Sequence, residues 1–289
     1  MKDTCVFDNE KNKIEPGTLY LVGTPIGNAS DIGERAVKTL AGVSFVAAED
    51  TRNSGRLISN LGIKQNYVSY HEHNKAEAGP KIVERLKNGE SCALVTDAGM
   101  PGVSDPGQDL VTLCAENGVK VTCVPGPCAF VTALVLSGLD TRSFCFEGFL
   151  AGSNGEKRRK LESLVSLTQT LIFYEAPHRL KETLGLLLDV LGDRKAALCR
   201  ELTKLNEEVV RGTLSGLALK FTQTEPRGEF VIVVEGKTSD DASEWSDLSV
   251  EEHIASYVKS EGLSTMEAVK RVAKDRGMKK SEVYKFTVK

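Results

Sequence analysis

Four loops dense in glycine, proline and acidic residues, each following an apolar run, concentrate the residue types that could hold a ligand. They are "GTPIGN" (Gly23–Asn28), "AEDTRNSG" (48–55), "DAGMPGVSDPG" (Asp97–Gly107) and "PGPCAF" (Pro125–Phe130). Glycine lets a backbone approach a ligand closely, and proline holds a loop in shape before the ligand arrives, which lowers the ordering cost of binding. The phosphate-loop pattern G-x-x-x-x-G-K-[ST] is absent, and "GTPIGN" lacks the G-x-G-x-x-G spacing of a dinucleotide site. A nucleoside held by backbone edges stays open. Three polar clusters also stand at predicted strand ends: "EDTR" (Glu49, Asp50, Arg52), "YEAPHR" (Glu175, His178, Arg179) and "RELTK" (Arg200, Glu201, Lys204). The bland role for each is a helix cap or a salt link between domains.

The elements that must position these groups alternate. From Thr18 to about Leu139, short runs such as "TLYLV", "VSFVAAE", "SCALVT" and "VKVTCV" are separated by helix-like segments. Strands apolar on both faces are expected where helices cover both sides of a parallel sheet, so 17–139 is predicted to be a doubly wound α/β domain. In such a sheet ligands bind outside the carboxyl ends of the strands, and the glycine loops are expected to share one rim. The pattern resumes over 143–237 as a second α/β domain. There "EEVVRGT" and "GEFVIVVEG" look hairpin-like, which predicts a mixed sheet. Residues 1–16 read as a flexible N-terminus and the acidic, Ser-rich 238–248 as a linker. Two Ser-x-x-Glu capping boxes, "SVEE" and "STME", open a helical appendage over 249–289 that is predicted to hold three short helices.

The chain has 289 residues, 40% of them hydrophobic, and a net charge of −3. That balance argues against a surface coated in positive potential for nucleic acid, but it leaves room for local patches. No apolar run is long enough for a membrane span and no secretory signal is evident, so a soluble cytoplasmic protein is expected. Seven cysteines without a C-x-x-C pair read as reduced, buried residues. The "HEH" pair, His71 and His73, has no third ligand near it, so no metal is expected.

Eight stretches go further. "LYLVGTPIGNASDI", "AAEDTRNSGRL", "DAGMPGVSDPG", "VPGPCAFVTALVLSGL", "FEGFL", "FYEAPHRL", "CRELTKLNEE" and "RGEFVIVVEG" resemble, in order and spacing, the ribosomal RNA small-subunit methyltransferase I family of the tetrapyrrole-methylase superfamily. The resemblance covers about 17–237 and continues into C-terminal helices similar to that family's helix-turn-helix appendage. It implies two α/β domains of the tetrapyrrole-methylase type with a small all-α appendage, usually assembled as a homodimer. The implied activity is S-adenosylmethionine-dependent 2′-O-methylation of a cytidine in the decoding region of small-subunit ribosomal RNA, on the RNA or on the assembled small subunit, without a metal. Matched by motif, the donor pocket would involve Pro25, Ile26, Asp97, Ala98, Gly99, Met100, Val103, Cys128, Ala129 and Phe130. The second domain would add Tyr174, Glu201, Leu202, Pro226, Gly228 and Phe230. The sequence departs from the family at Met100, where Thr is frequent, at Cys128, where Ser is common, and at "GFLAG", which replaces "GFLP".

Methyl transfer to a ribose hydroxyl is an in-line displacement, so positioning is the protein's main task and a base near the hydroxyl assists. The three polar clusters supply candidates: a carboxylate (Glu49, Asp50, Glu175) or His178 as proton acceptor, and Arg52, Arg179, Arg200 and Lys204 as phosphate holders or hydroxyl-acidifying cations. Two basic segments are expected to meet RNA. One is "KRRK" (Lys157–Lys160); the other is the C-terminal set Lys270, Arg271, Lys274, Arg276, Lys279, Lys280 and Lys285. Two competing readings remain: a porphyrinoid-type small-molecule methyltransferase of the same fold, and a non-catalytic RNA-binding assembly factor. The basic segments speak against the first and the glycine loops against the second.

Overall fold

The apolar runs of the first half form a five-stranded, all-parallel sheet. Its strands are β1 (Thr18–Val22), β2 (Phe45–Ala48), β3 (Tyr67–Ser69), β4 (Cys92–Val95) and β5 (Lys120–Val124), in the order β3-β2-β4-β1-β5. Side chains alternate between faces along a strand. Leu19, Phe45, Cys92 and Leu94 therefore pack with Ile82 and Leu86 of α3 (Lys75–Lys87) and Leu110 of α4 (Gly107–Glu116). Tyr20, Val22, Val46, Ala93 and Val95 pack with Leu40 of α1 (Glu34–Gly42) and Ile58 of α2 (Thr51–Asn60). Burial on both faces explains why these strands read as continuous apolar runs rather than alternating ones.

The strand order carries a functional consequence. Adjacent strands β1 and β4 send their outgoing connections to opposite sides of the sheet, β1 toward β2 and β4 toward β5. That is a topological switch point, and a crevice opens there at the carboxyl ends of the strands. The loops that leave these two strands are Gly23–Asn28 and Asp97–Gly107.

The second sheet has the order β6-β7-β10-β8-β9, built from β6 (Phe144–Phe149), β7 (Thr170–Glu175), β8 (Lys195–Arg200), β9 (Glu208–Thr213) and β10 (Phe230–Val234). Only β6 and β7 run parallel; β10 is antiparallel to β7 and β8, and β8 to β9, so the sheet is mixed as the hairpin-like segments implied. One face is covered by α6 (Asn154–Leu164), α7 (Leu180–Leu191) and α8 (Leu214–Lys220). The other face is covered by α5 (Ala129–Ser137), whose Ala133 and Leu134 pack with Ile172, Ala197, Val231 and Val233. The sequence placed this helix in the first domain, ending at 139. "AFVTALVLS" is apolar on every side, so no stripe announces which sheet it faces, and tertiary packing decides.

The computed structural model describes residues 13–221, 225–238 and 248–287, and the chain divides into two units, Met1–Gly236 and Lys237–Lys289. Most of the expected linker and flexible N-terminus, with Cys5, lies outside the described residues. The described end of that N-terminus is anchored: the Glu15 amide donates to Tyr20 Oη at 2.8 Å, Glu15 pairs with Lys120, and Ile14 packs on the α1/α2 face of the sheet. Among the described residues no helix is long and apolar enough to cross a membrane.

The C-terminal unit is a three-helix cluster of α9 (Val250–Ser260), α10 (Thr265–Asp275) and α11 (Lys280–Tyr284) around Ile254, Val269, Val272 and Val283. Ser249 and Ser264 cap α9 and α10 by accepting from the amides of Glu252 and Glu267. His253 is fully buried in this unit. Burial holds its pKa below the usual value, the Arg276 guanidinium adds to that, and Asp275 opposes it. Arg276 Nε donates to His253 Nδ1 at 3.2 Å, an acceptor that protonation would remove. Tyr257 lies against the imidazole and donates to Asp275. The unfolded chain takes up this proton near pH ~6.5 and the folded unit resists it. The unit's stability is therefore complete above that pH and is expected to decline as pH falls below it. Amide exchange in α9 and α10, corrected for its intrinsic pH dependence, checks this; protection that is flat across the transition would contradict it.

Candidate functional site

The glycine loops meet. Thr24 and Gly99 form an antiparallel bridge, with Thr24 N donating to Gly99 O at 2.9 Å and Gly99 N to Thr24 O at 3.2 Å. Gly23 and Gly126 lie so close that a Cβ on Gly23 would stand 2.6 Å from Gly126 Cα. No side chain fits between these backbones, which explains both glycines. Gly99 has φ +86°, a conformation that favours glycine. The thioether of Met100 lies over the contact, and the Gly126 amide approaches its Sδ at 3.2 Å. The Met100 side chain thus props the two loops at their contact.

Asp105 fixes the rest of the stretch. Its carboxylate accepts from the amides of Gly102 at 2.9 Å, Val103 at 3.3 Å and Gly107 at 2.7 Å, folding the loop onto itself and leading it into α4. The loop is preorganised by its own side chain as well as by its prolines.

These loops and the ends of β7 and β10 enclose a cleft of about 630 Å³, within the range of small-molecule sites. The whole predicted set from the third loop (Asp97, Ala98, Gly99, Met100, Val103) lines it, with Ile26, Cys128, Ala129, Tyr174, Leu202 and Phe230. The remaining predicted positions, Pro25, Phe130, Glu201, Pro226 and Gly228, are not part of the lining. Pro25 precedes Ile26 in the bridged loop. The Phe130 amide donates to Tyr174 Oη at 3.2 Å, and its ring stacks on Phe146 with centroids 4.5 Å apart. Burial, with Cys128 nearby, pushes the Tyr174 phenol up to about 12, so this hydroxyl stays protonated. Glu201, at φ +50°, accepts from the Glu229 amide at 3.1 Å, and Gly228 lies against its carboxylate; together they tie the turn after β8 to the Pro226–Phe230 approach.

The polar clusters separate on inspection. Asp50 caps α2 by accepting from the Arg52 amide at 2.8 Å and is ion-paired with the exposed Arg52 guanidinium. Those side-chain and backbone hydrogen bonds hold its pKa below the ordinary carboxylate value. Glu175 lines the cleft but is 2% exposed, and it accepts from Ala176 N, from Thr183 Oγ1 at 2.5 Å and from Arg179. Arg179 also donates to the Leu150 carbonyl. Lys204 bridges Glu201 at 2.9 Å and Glu229 at 3.0 Å, while Arg200 faces Glu208 at 3.7 Å. Arg52, Arg179, Arg200 and Lys204 are therefore committed to protein partners and do not line the cleft. Glu49 differs: it lines the cleft and accepts one hydrogen bond, from Thr96 Oγ1 at 2.9 Å. His178 lines the cleft from the 3₁₀ turn Pro177–Arg179.

The lining includes Glu49, Asp97, Asp105, Glu175 and Glu229 and, among the described residues, neither Lys nor Arg. Glu175 is paired with Arg179 and Glu229 with Lys204, so Glu49, Asp97 and Asp105 carry the negative charge that favours a cationic ligand over phosphate. Sequence reasoning included Glu229 within the segment Pro226–Phe230 but missed Thr96, Ser104, Asp105, Phe149 and Val231. The signal for Asp105 was present: an Asp followed by Pro-Gly at a helix start is an N-terminal cap in form.

The basic run "KRRK" is placed differently from the expectation. Lys157 is buried and 3.6 Å from Glu182, Arg158 pairs with Asp189, and Lys160 holds Glu147 at 2.7 Å. Three of its four charges fasten α6 to α7 and β6. In the C-terminal unit, Arg276 is occupied by His253 and the carbonyls of Leu248 and Ser249, and Arg271 lies over the Tyr257 ring. The "HEH" histidines lie in the turn before α3, not on a strand, with ring centroids 6.1 Å apart. Among the described residues no three His, Cys, Asp or Glu side chains gather as metal ligands would.

Comparison with known proteins adds a second line of observation. Residues 18–218 match the family described as Tetrapyrrole (Corrin/Porphyrin) Methylases. The chain is 46% identical over 276 residues to the ribosomal RNA small subunit methyltransferase I of Bacillus subtilis, covering 94% of each chain. It is 41% identical to the protein of that name from Synechocystis, covering 94% of this chain and 98% of that one. Among solved structures it resembles the uroporphyrin-III-C-methyltransferase of Thermus thermophilus, with TM-score 0.55 and 21% identity over 75% of this chain and 94% of that one. A cobalt precorrin-4 methyltransferase is similar to the same degree, with TM-score 0.55, 18% identity and coverage of 76% and 95%. At these identities the two structures speak for the fold.

Proposed function

Because the chain belongs to the ribosomal RNA small subunit methyltransferase I family, within the tetrapyrrole methylases, we propose that its cleft holds S-adenosylmethionine and methylates the 2′-oxygen of a cytidine in small-subunit ribosomal RNA. The observation that carries the reading is the convergence of three glycine loops on one preformed, acidic cleft at a switch point. The donor fits the residues present. The exposed stretch at Asp97 and Ala98 is open to a nucleoside edge, Ile26, Val103, Leu202 and Phe230 offer apolar walls, and the carboxylates suit its amino and sulfonium charges.

When bound, the donor supplies an electrophilic methyl group on a positively charged sulfur. The chain's own work is positional and acid–base. The loop bridge at Thr24 and Gly99 and the Asp105 clamp hold the walls fixed before any ligand arrives, which is where an enzyme of this kind gains most. Glu49 has an oxygen uncommitted to described residues, and we assign it to accept the proton of the ribose hydroxyl. Glu175 holds the turn that carries His178. The acidic lining disfavours phosphate, so the substrate strand enters with its sugar and base toward the cleft and its backbone outward.

The same reading includes a two-fold homodimer, supported by the exposed Val131 and Val135 of α5, and a cytoplasmic setting, which a ribosomal substrate requires. RNA affinity then rests on the C-terminal unit, where Lys274, Lys280 and Lys285 have no ion-pair partner among the described residues. The test is methyl transfer from labelled donor to small ribosomal subunits that lack the mark, with the product mapped by mass spectrometry. A 2′-O-methylcytidine is expected. Label on a porphyrinoid but not on subunits, or on no substrate at all, would overturn the proposal.

A further inference from the structure

One large apolar side chain in the cleft is left half uncovered. Phe149, the last residue of β6, is 50% exposed and lines the cleft beside the Ser104 loop. Its orientation is the product of an irregularity. In β6, Phe144 and Phe146 face the α5 side, where Phe146 stacks on Phe130, and Cys145 packs with the cluster under α6 and α7. Strict alternation would send Phe149 to the Cys145 face, into that closed apolar core.

Instead the register with β7 slips between Phe146 and Gly148, so that Phe146 pairs with Ile172, Gly148 with Phe173 and Phe149 with Tyr174. The extra residue is Glu147. Gly148 takes φ +63°, and a Cβ there would stand 2.8 Å from Ser104 Oγ, so the bulge also seats β6 against the donor loop. A bulge of this kind re-aims a side chain, and bulges are frequent next to active sites. Here it moves a phenyl ring out of a core that would have buried it and into an open cleft. Burying that ring would have been favourable, so its exposure calls for an occupant that covers it.

The surroundings limit that occupant. Phe149 is braced by Tyr174, with ring centroids 5.5 Å apart at 60°, and Tyr174 in turn meets Phe146 at 5.0 Å and 72°. An aromatic chain from Phe130 through Phe146 and Tyr174 thus leads to the exposed ring of Phe149 in the cleft, while the cluster's other exposed ring, Phe144, is not part of the cleft lining. The carboxylates of the lining disfavour phosphate in this cleft. A flat, uncharged, π-faced group satisfies both conditions.

We propose that Phe149 is the stacking platform for a nucleobase of the substrate strand, holding the target cytidine or its immediate neighbour against the cleft. This inference rests on the RNA-methyltransferase reading and deepens it. Stacking on an aromatic ring is how splayed single-stranded bases are gripped, and it needs no hydrogen-bond code.

The experiment is steady-state methylation of unmethylated small subunits by Phe149→Ala, Phe149→Leu and Phe149→Tyr, with donor affinity and melting temperature measured on each. Removing the ring is expected to raise KM for the subunit about tenfold, equally for Ala and for the apolar but non-aromatic Leu. Tyr should restore it, and donor affinity should stay at the wild-type value throughout. A Leu variant as good as wild type would overturn the proposal, because apolar bulk alone would then suffice. So would a loss that appears in donor affinity in place of KM, which would put the ring over the donor. Failure of the wild-type protein itself to methylate subunits would instead defeat the underlying reading.

Discussion

Replacing Glu49 with Gln should lower kcat by about 10²- to 10⁴-fold, the usual range for a positioned general base, while donor affinity stays near wild type. The substitution keeps the size of the side chain and its acceptor oxygen for Thr96 Oγ1, so the fold has little reason to respond. The other carboxylates of the polar clusters are poor substitutes for physical reasons. Asp50 is an N-cap engaged with Arg52, and Glu201 is tied to Lys204 and the Glu229 amide. Glu175 is buried under three donors, so its removal would disturb the turn after β7 before it disturbed a proton. Single-turnover rates on unmethylated subunits measure the effect directly. An unchanged rate in Glu49→Gln would remove Glu49 from the proton path and turn attention to His178, which shares the lining.

Gly23→Ala should be the most damaging single methyl group in the molecule for donor binding. Its Cβ would stand 2.6 Å from Gly126 Cα and 2.8 Å from Gly126 N, both backbone atoms that cannot rotate aside. The loops after β1 and β5 must part, and with them the Thr24–Gly99 bridge that shapes the cleft wall. A displacement of about 1 Å at such a site costs on the order of 10²-fold in turnover, and a loss of donor affinity by calorimetry should accompany it. Met100 Sδ is also 2.8 Å from that Cβ, but a thioether can move. Adding Met100→Ala to Gly23→Ala should therefore fail to restore binding. Rescue by the double change would mean that the flexible side chain was the only obstacle and that the two backbones tolerate separation.

Much of this architecture was legible before any coordinates. Apolar runs without alternation announced a sheet buried on both faces, and the glycine loops after them announced a rim, because open parallel sheets place ligands at their carboxyl ends. The hairpin character of 208–213 and 230–234 announced the antiparallel members of the second sheet. What the sequence left hidden depends on contacts remote in the chain. Helix α5 has no polar face, so its partner sheet is decided by packing. The charges of "KRRK" looked free because Glu147, Glu182 and Asp189 are near only in the folded molecule. The face of Phe149 was not legible in the sequence, since one inserted residue reverses the alternation and a bulge at "FEGF" looks like ordinary strand. Among the polar clusters, residue type marked the right neighbourhoods. Only geometry distinguished Glu49 and His178, which line the cleft, from the cations that close ion pairs behind it.

The central claim is that the cleft bounded by the Gly23–Asn28, Asp97–Gly107 and Pro125–Phe130 loops is the methyl-donor site. A crystal structure of the protein with S-adenosylhomocysteine, the demethylated donor, tests it most directly. The account expects the ligand against the backbone of Asp97–Met100, with Ile26, Leu202 and Phe230 in contact. Density for the ligand anywhere else on the chain would contradict it.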